Sequence, residues 1–468
     1  MAVDAVSTPA DVPEGSPPAP PVESDFSPRK IRIASVILLG QAFGSSLVPF
    51  FALGYVLPYM TKEFGWSRTE FLGASTALLF VGALVSWPFG ILTDKVGARP
   101  LIILGTLGVG LATLFVPLVH NNPIGILPRA WQFYALFAVI GFFGCCVVSY
   151  SKVTTALFTQ NRGKAMAILG AEGTVARMIV PGVTAFLILH YGWRGLFTTI
   201  GLVVLAIVPL IFFFLEEPGT RGLKPTLSFR KPAVTTETGA TVMSFDGMVF
   251  AEVLRDRVFW LMLAAGVLAV TTGNGMLANI PASLIDRGFR LQVIGNIDSI
   301  ATLAGIPGVL LAGYLMDKVP SAKVAAPFHL LTALAAVLLM IVTPTYGGQP
   351  LLLVARSLFT FAFAAALPLS AYLMTRFFGL KAYASIYGFL AGIQALFASW
   401  APIVFGRIYD VTHSYRIGYE AWAVAAFSAS LIFLILPRYR FSADLGAMPA
   451  APKSGPGAGV SPAAAPAE

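Results

Sequence analysis

From about residue 30 to residue 440 the chain alternates between long apolar runs and short polar breaks. Runs such as FLGASTALLFVGALVSWPF and LIILGTLGVGLATLFVPLV have the length of about 20 residues that a helix needs to cross a hydrocarbon layer about 30 Å thick. The pattern predicts twelve spans, near 33–60, 70–92, 100–119, 131–157, 165–189, 194–215, 259–281, 292–316, 322–343, 351–375, 383–408 and 421–437. Solid apolar blocks, rather than weak two-residue alternation, point away from a transmembrane barrel and towards an all-α membrane protein. One long hydrophilic stretch, 216–258, divides the spans six plus six. The expected organisation is a tail (1–28), a six-helix bundle (29–215), a linker (216–258), a second six-helix bundle (259–440) and a second tail (441–468).

Composition reinforces the class. Of 468 residues, 57% are hydrophobic and 11% are charged, against about 25% charged in soluble domains. The net charge of +9 does not imply a nucleic-acid partner, because basic residues accumulate in the loops a membrane protein keeps in the cytoplasm. With the N-terminus inside, the outer loops hold Lys62, Arg68, Arg129, Arg194, Arg287, Arg290 and Arg416, and the inner positions hold nearly three times as many basic residues. Both termini are therefore expected to be cytoplasmic. Both tails are rich in Pro and Ala and read as disordered, and the first has neither the basic nor the apolar region of a signal peptide. Cys145 and Cys146 are neighbours in an apolar run, a spacing that suits core filling rather than a disulfide.

The halves echo one another. Gly90-Ile-Leu-Thr-Asp94-Lys95-Val96 returns as Gly313-Tyr-Leu-Met-Asp317-Lys318-Val319, and Pro58 and Gly65 return as Pro281 and Gly288 at the same offset. Repeats of the same orientation, related by an axis along the membrane normal, are one architecture of alternating-access transporters.

The loop G-x-L-x-D-x-x-G-x-R at Gly90, Leu92, Asp94, Gly97 and Arg99 resembles the signature loop of the major facilitator superfamily. FGWSRTEF (Phe64–Phe71), NRGKAMAILGAEG (Asn161–Gly173), HYGWRGLF (His190–Phe197) and RDRVFWLML (Arg255–Leu263) resemble its monocarboxylate and oxalate–formate branch, which handles small organic anions. The resemblance implies that Gly90, Asp94, Gly97 and Arg99 form a cytoplasmic latch, with Gly313 and Asp317 as a weaker second copy, since Pro320 and Ala322 replace its later Gly and Arg. It also implies that spans 1, 4, 7 and 10 surround the central cavity, flanked by 2, 5, 8 and 11.

Ionisable residues at bilayer depth are costly and mark candidate sites. They are Lys152 in span 4, Glu172 and Arg177 in span 5, Asp298 in span 8, Arg356 in span 10 and Arg407 near the outer end of span 11. Asp298 and Arg356 lie at similar depth, about 10 Å below the outer surface at 1.5 Å per residue, and can pair either as a structural ion pair or as a gating, proton-linked one. Lys152 is the candidate anion-attracting cation, with snorkelling to the headgroups as its alternative. Gln41, Ser45, Tyr150, Thr271, Asn274 and Gln394 complete the candidate substrate contacts, each alternatively an interhelical hydrogen bond. The branch resembled pairs its span-8 Asp with an Arg one turn later, where this chain has Thr302, and it carries a Lys in span 1 or span 11 that is missing here. His120, His190, His329 and His413 have no metal-ligand spacing, and no catalytic or nucleotide-binding motif appears.

The expected function is thus a non-enzymatic secondary transporter without cofactor or metal. It moves a small organic anion by proton symport, with Asp298 and Glu172 as proton carriers, as a monomer in a bacterial inner membrane. An exporter of amphipathic compounds and a non-transporting membrane sensor are the alternatives.

Overall fold

A computed structural model describes residues 27–121, 129–157, 172–216, 247–379 and 381–441. The tails, most of the linker and the first eleven residues of NRGKAMAILGAEG lie outside the described residues, as do the side chains of Asp94, Glu172 and Asp317. Among the described residues the chain is helical, with two isolated β-bridges and no sheet.

The first half comprises α1 (Pro28–Phe43), α2 (Leu47–Phe64), α3 (Arg68–Val96), α4 (Ala98–Phe115), α5 (Trp131–Gly144), α6 (Val147–Leu157) and α7 (Glu172–Phe214). The second comprises a short α8 (Phe250–Leu254), then α9 (Arg257–Asp286), α10 (Leu291–Thr302), α11 (Gly305–Lys318), α12 (Ala325–Ile341), α13 (Gly348–Phe378), α14 (Tyr383–Thr412) and α15 (Arg416–Ile435). Ten helical stretches among the described residues are long and apolar enough to cross a membrane. Two local features separate that number from the twelve apolar runs. Predicted spans 5 and 6 form one 43-residue helix broken at Gly192 (φ 67°, ψ 178°), and predicted span 4 is split into α5 and α6, each too short alone.

Local chemistry places the helix ends. Ser67 accepts from the Glu70 N–H while the Glu70 carboxylate accepts from the Ser67 N–H, a capping box that starts α3. Gly97 has φ 101° and ψ 157°, a region essentially reserved for glycine, which lets α3 end and α4 begin with no intervening loop. The internal echo is visible here, because Gly65 and Gly288 both take positive φ just after α2 and α9.

The apolar core shows how the halves sit together. One cluster joins both halves, from Leu53, Tyr55 and Phe71 to Ile280, Phe289 and Tyr419. The end that carries residues 27 and 441, here the terminal end, instead has two separate clusters. One belongs to the first half (Ile33, Ile102, Tyr150, Ile211), the other to the second (Val258, Leu263, Phe377, Phe433). The helices that join the halves are α3 with α14, α7 with α10 and α2 with α9. Among the described residues the apolar core is therefore continuous at the far end and divided at the terminal end. Outward-facing Leu104, Leu111, Phe115, Phe213, Leu310 and Ile435 supply an apolar surface that suits lipid.

Candidate functional site

Roughly 10 Å in from the far-end starts of α10 and α13, at 1.5 Å per residue, three helices deliver one polar cluster. Asp298 of α10 and Arg356 of α13 are 5% and 7% exposed, and the Arg356 Nε–H donates to Asp298 Oδ1. Tyr55 of α2, from the other half, donates its hydroxyl to Asp298 Oδ2 at 2.5 Å. A lone buried charge in such surroundings is strongly disfavoured, so carboxylate and guanidinium neutralise each other and the phenol satisfies the second oxygen. One guanidinium nitrogen, Arg356 Nη1, has no partner. Thr302, one turn after Asp298, donates to the Asp298 main-chain carbonyl at 2.8 Å. The cluster borders a cavity of about 40 Å³ lined also by Phe51, Gly54, Arg177, Pro181 and Phe359. That space suits a water rather than a carboxylate substrate. Arg177 lies between the Phe51 and Phe363 rings, 5.4 and 5.0 Å from their centroids, and so also touches both halves.

Closer to the far end, Arg68 and Asp410 clasp the halves. Arg68 donates to Tyr415 Oη at 2.6 Å and to Asp286 Oδ2 at 2.7 Å, with its guanidinium 4.1 Å from the Tyr409 ring centroid. Asp410 of α14 accepts from the N–H groups of Arg68 and Thr69, both at 2.9 Å, and from the Thr69 hydroxyl at 2.5 Å. A carboxylate of the second half thereby caps the positive end of a helix of the first. Glycines allow the seam to close tightly. A Cβ on Gly54 would sit 2.7 Å from the Ala278 carbonyl, and one on Gly295 would sit 2.7 Å from the Pro181 carbonyl.

The sequence-predicted residues fall into separate groups. Asp298 and Arg356 meet. Lys152 is exposed on α6 at the terminal end, where its Nζ donates to the Thr93 carbonyl at 3.1 Å. That carbonyl also accepts the Gly97 N–H at 3.1 Å, so Lys152 touches the signature loop rather than the Asp298 cluster. In the same loop Gly90 is half-buried, and Arg99 donates to the Phe212 carbonyl and lies over the Phe212 ring. Gly313, in the second copy, has open space where a Cβ would be. Gln41, Ser45 and Tyr150 are buried around the break between α1 and α2. Ser45 donates to the Gln41 carbonyl at 2.6 Å, while Gln41 Oε1 and Tyr150 Oη lack partners. On α9, Asn274 returns its amide to the Val270 carbonyl at 2.9 Å and Thr271 Oγ1 has no partner. The Gln394 amide packs on Gly266.

Sequence reasoning missed Arg68 and Asp410, since charges at span ends read as ordinary loop residues. The one available signal was the S-R-T-E capping pattern, which marks where Arg68 starts a helix. Tyr55 lies within predicted span 1, but nothing in the sequence ties it to Asp298.

Comparison with known proteins identifies the family. A family model described as Major Facilitator Superfamily matches residues 35–402. The chain belongs to that superfamily. A probable L-galactonate transporter of Escherichia coli K12 is 25% identical over 452 residues, covering 92% of this chain and 94% of that protein. A gallate transporter of Pseudomonas putida is 23% identical over 312 residues, covering 61% and 66% respectively. Among solved structures, a bacterial homologue of the human lysosomal transporter Spinster superposes with a TM-score of 0.64 at 15% identity, covering 87% of this chain and 98% of that one. This superfamily member is thus an integral, multi-pass membrane protein with the fold of transporters, not of enzymes.

Proposed function

We propose that this protein is a proton-coupled symporter of a small organic anion, and that Asp298 and Arg356 couple the two. The observation that carries the reading is one guanidinium buried against one carboxylate, with a phenol from the opposite half on the same carboxylate. When Asp298 is ionised it satisfies Arg356 and holds Tyr55, which favours closure of the far end. Protonation of Asp298 removes its charge and leaves Arg356 a buried cation in need of an anion. A substrate carboxylate meets that need through the bidentate geometry a guanidinium offers. Proton and anion binding then stabilise each other, the condition for coupled movement. Two relatives named for galactonate and gallate transport support a carboxylate as cargo.

Within this reading the chain has twelve spans with the two six-helix bundles and linker bounds given above, both termini face the cytoplasm, and the membrane is the bacterial inner membrane. The protein acts as a monomer. The divided terminal end is then the cytoplasmic exit, with Lys152, Gln41, Ser45, Tyr150, Thr271, Asn274 and Gln394 as candidate contacts along it. Gly90, Asp94, Gly97, Arg99, Gly313 and Asp317 form the latch that closes that end in the opposite state, and Glu172 is a second proton site.

Asp298→Asn, which imitates the protonated carboxyl, tests the coupling in proteoliposomes with galactonate and gallate as trial cargo. Counterflow exchange should persist while accumulation driven by a pH gradient falls to the equilibrium ratio. Gradient-driven accumulation that survives the substitution would remove Asp298 from the coupling, and wild-type accumulation indifferent to a protonophore would remove proton symport itself.

A further inference from the structure

At the terminal end of the second half lies a cationic recess remote from the Asp298 cluster. It has a volume of about 740 Å³ and is lined by the turn before α12 (Ser321, Lys323), the last turn of α13 (Arg376) and the segment after α15 (Arg438, Tyr439, Arg440). Arg376 is only 8% exposed, yet its Nε and Nη1 have no hydrogen-bond partner. Its guanidinium lies beside two phenol rings that meet edge to face, 5.7 Å from the Tyr372 centroid and 4.8 Å from that of Tyr439. The Tyr439 hydroxyl in the same recess is also unpartnered.

Contact with the ring faces attracts the charge of a guanidinium but gives its N–H groups no in-plane acceptor. Buried N–H groups left unmade are costly, so an edge held in this way points to a ligand. Arg440 is engaged by Asp256, which neutralises it. Arg376, Arg438 and Lys323 still surround the recess, an excess of positive charge that suits an anion with several oxygens and more than one negative charge. The carbonyl of Arg376 accepts the N–H groups of Arg440 and Phe441, at 3.2 and 3.1 Å, and so holds the wall of the recess in place. The recess opens where α13 and α15 end, at headgroup depth for a helix that spans a bilayer.

We propose that this recess binds a phosphate group, with the Arg376 edge as its anchor and Lys323 and Arg438 as its rim. The phosphate belongs either to an anionic phospholipid headgroup or to a soluble ion.

Thermal unfolding of the full-length protein tests the assignment and separates the two sources. In detergent, inorganic phosphate is compared with chloride at equal ionic strength; in nanodiscs, phosphatidylglycerol in phosphatidylcholine is compared with phosphatidylcholine alone. Wild-type protein should unfold at a higher temperature with phosphate, with phosphatidylglycerol, or with both, and the pattern identifies the source. Arg376→Gln should abolish the rise. Because that variant perturbs a buried position, Lys323→Gln combined with Arg438→Gln, both exposed, should weaken apparent phosphate affinity at least several-fold while leaving the fold intact. No rise in the wild type under either condition, or a rise undiminished in the exposed double variant, overturns the proposal.

Discussion

The two ends of this molecule are stabilised in opposite ways. At the far end the halves share one apolar core and bond across it, through Arg68, Asp410 and Tyr55. At the terminal end the core of the described residues divides, and the ion pairs seen there join neighbouring segments on one side: Arg29 with Glu216 beside the first half, Arg440 with Asp256 beside the second. Each half is thus braced against itself where the bundle is divided and against its partner where it is closed. If the protein moves its cargo as proposed, two bodies rocking about the α3–α14 and α7–α10 contacts need that division of labour. The far contacts must hold one state without making it permanent. Among the described residues one ion pair between the halves, Arg68 with Asp286, and close glycine packing add to the shared apolar core there, contacts that can be remade when the far end opens.

The strongest way to break the contrast is steric. Gly295→Leu and Gly54→Leu each push a side chain into a carbonyl of the opposite half. Overpacking typically costs about 1–3 kcal/mol, roughly fivefold to hundredfold in the ratio of closed to open far ends. Double electron–electron resonance between spin labels at Arg194 and Arg416, both exposed at the far end, should report a longer distance in either variant. Gly388→Ala and Gly392→Ala are the matched controls, since a Cβ there meets nothing within 4 Å. They should leave the same distance unchanged. A far-end distance insensitive to both leucines would mean that the glycine approach does not limit closure.

A milder test removes one cap. Asp410→Ala deletes the carboxylate that accepts two main-chain N–H groups and a hydroxyl at the start of α3. Loss of a helix cap costs about 1 kcal/mol, which shifts the same equilibrium roughly fivefold. The effect should appear as a broader far-end distance distribution with little change in thermal unfolding, because Ser67 and Glu70 still cap α3 from within its own half. A large fall in unfolding temperature with no change in distance would assign Asp410 to folding instead.

These tests also mark where sequence reasoning reached and where it stopped. Hydrophobic run length located most of the described helices within about five residues, because lipid favours one solution, but it did not foresee the breaks within runs 1, 4 and 8 or the joining of runs 5 and 6. The duplicated glycine positions were legible because positive φ leaves so few residue choices at Gly65 and Gly288. Depth reasoning placed Asp298 beside Arg356, since both lie in one half and at one level. What escaped were contacts between halves. Tyr55 on Asp298 and Asp410 on α3 join residues 243 and more than 300 positions apart, and no local pattern encodes such a pairing. Lys152 shows the converse: its charge was legible, but its partner, a backbone carbonyl on α3, belongs to a neighbouring helix that periodicity does not identify.

The smallest effect concerns the brace at the divided end. Asp256 accepts the Val258 N–H at 2.8 Å as the cap of α9 and also binds Arg440. Burial alone would raise its carboxyl pKa, but the Arg440 hydrogen bond, the Val258 N–H and the Arg257 charge outweigh that and hold it below the usual carboxylate range. A carboxyl lowered on folding contributes stability above its unfolded pKa of about 4, and that contribution disappears as pH falls through the folded value. Asp256→Asn keeps the cap, since Asn serves as well at that position, and removes only the charge. The wild type should therefore unfold at a higher temperature than Asp256→Asn at neutral pH, with the gap narrowing below about pH 4. Both should keep the same far-end distance, because this pair never crosses between the halves. A gap that stays constant down to the lowest pH at which the protein remains folded would show that the Arg440 contact contributes nothing through charge.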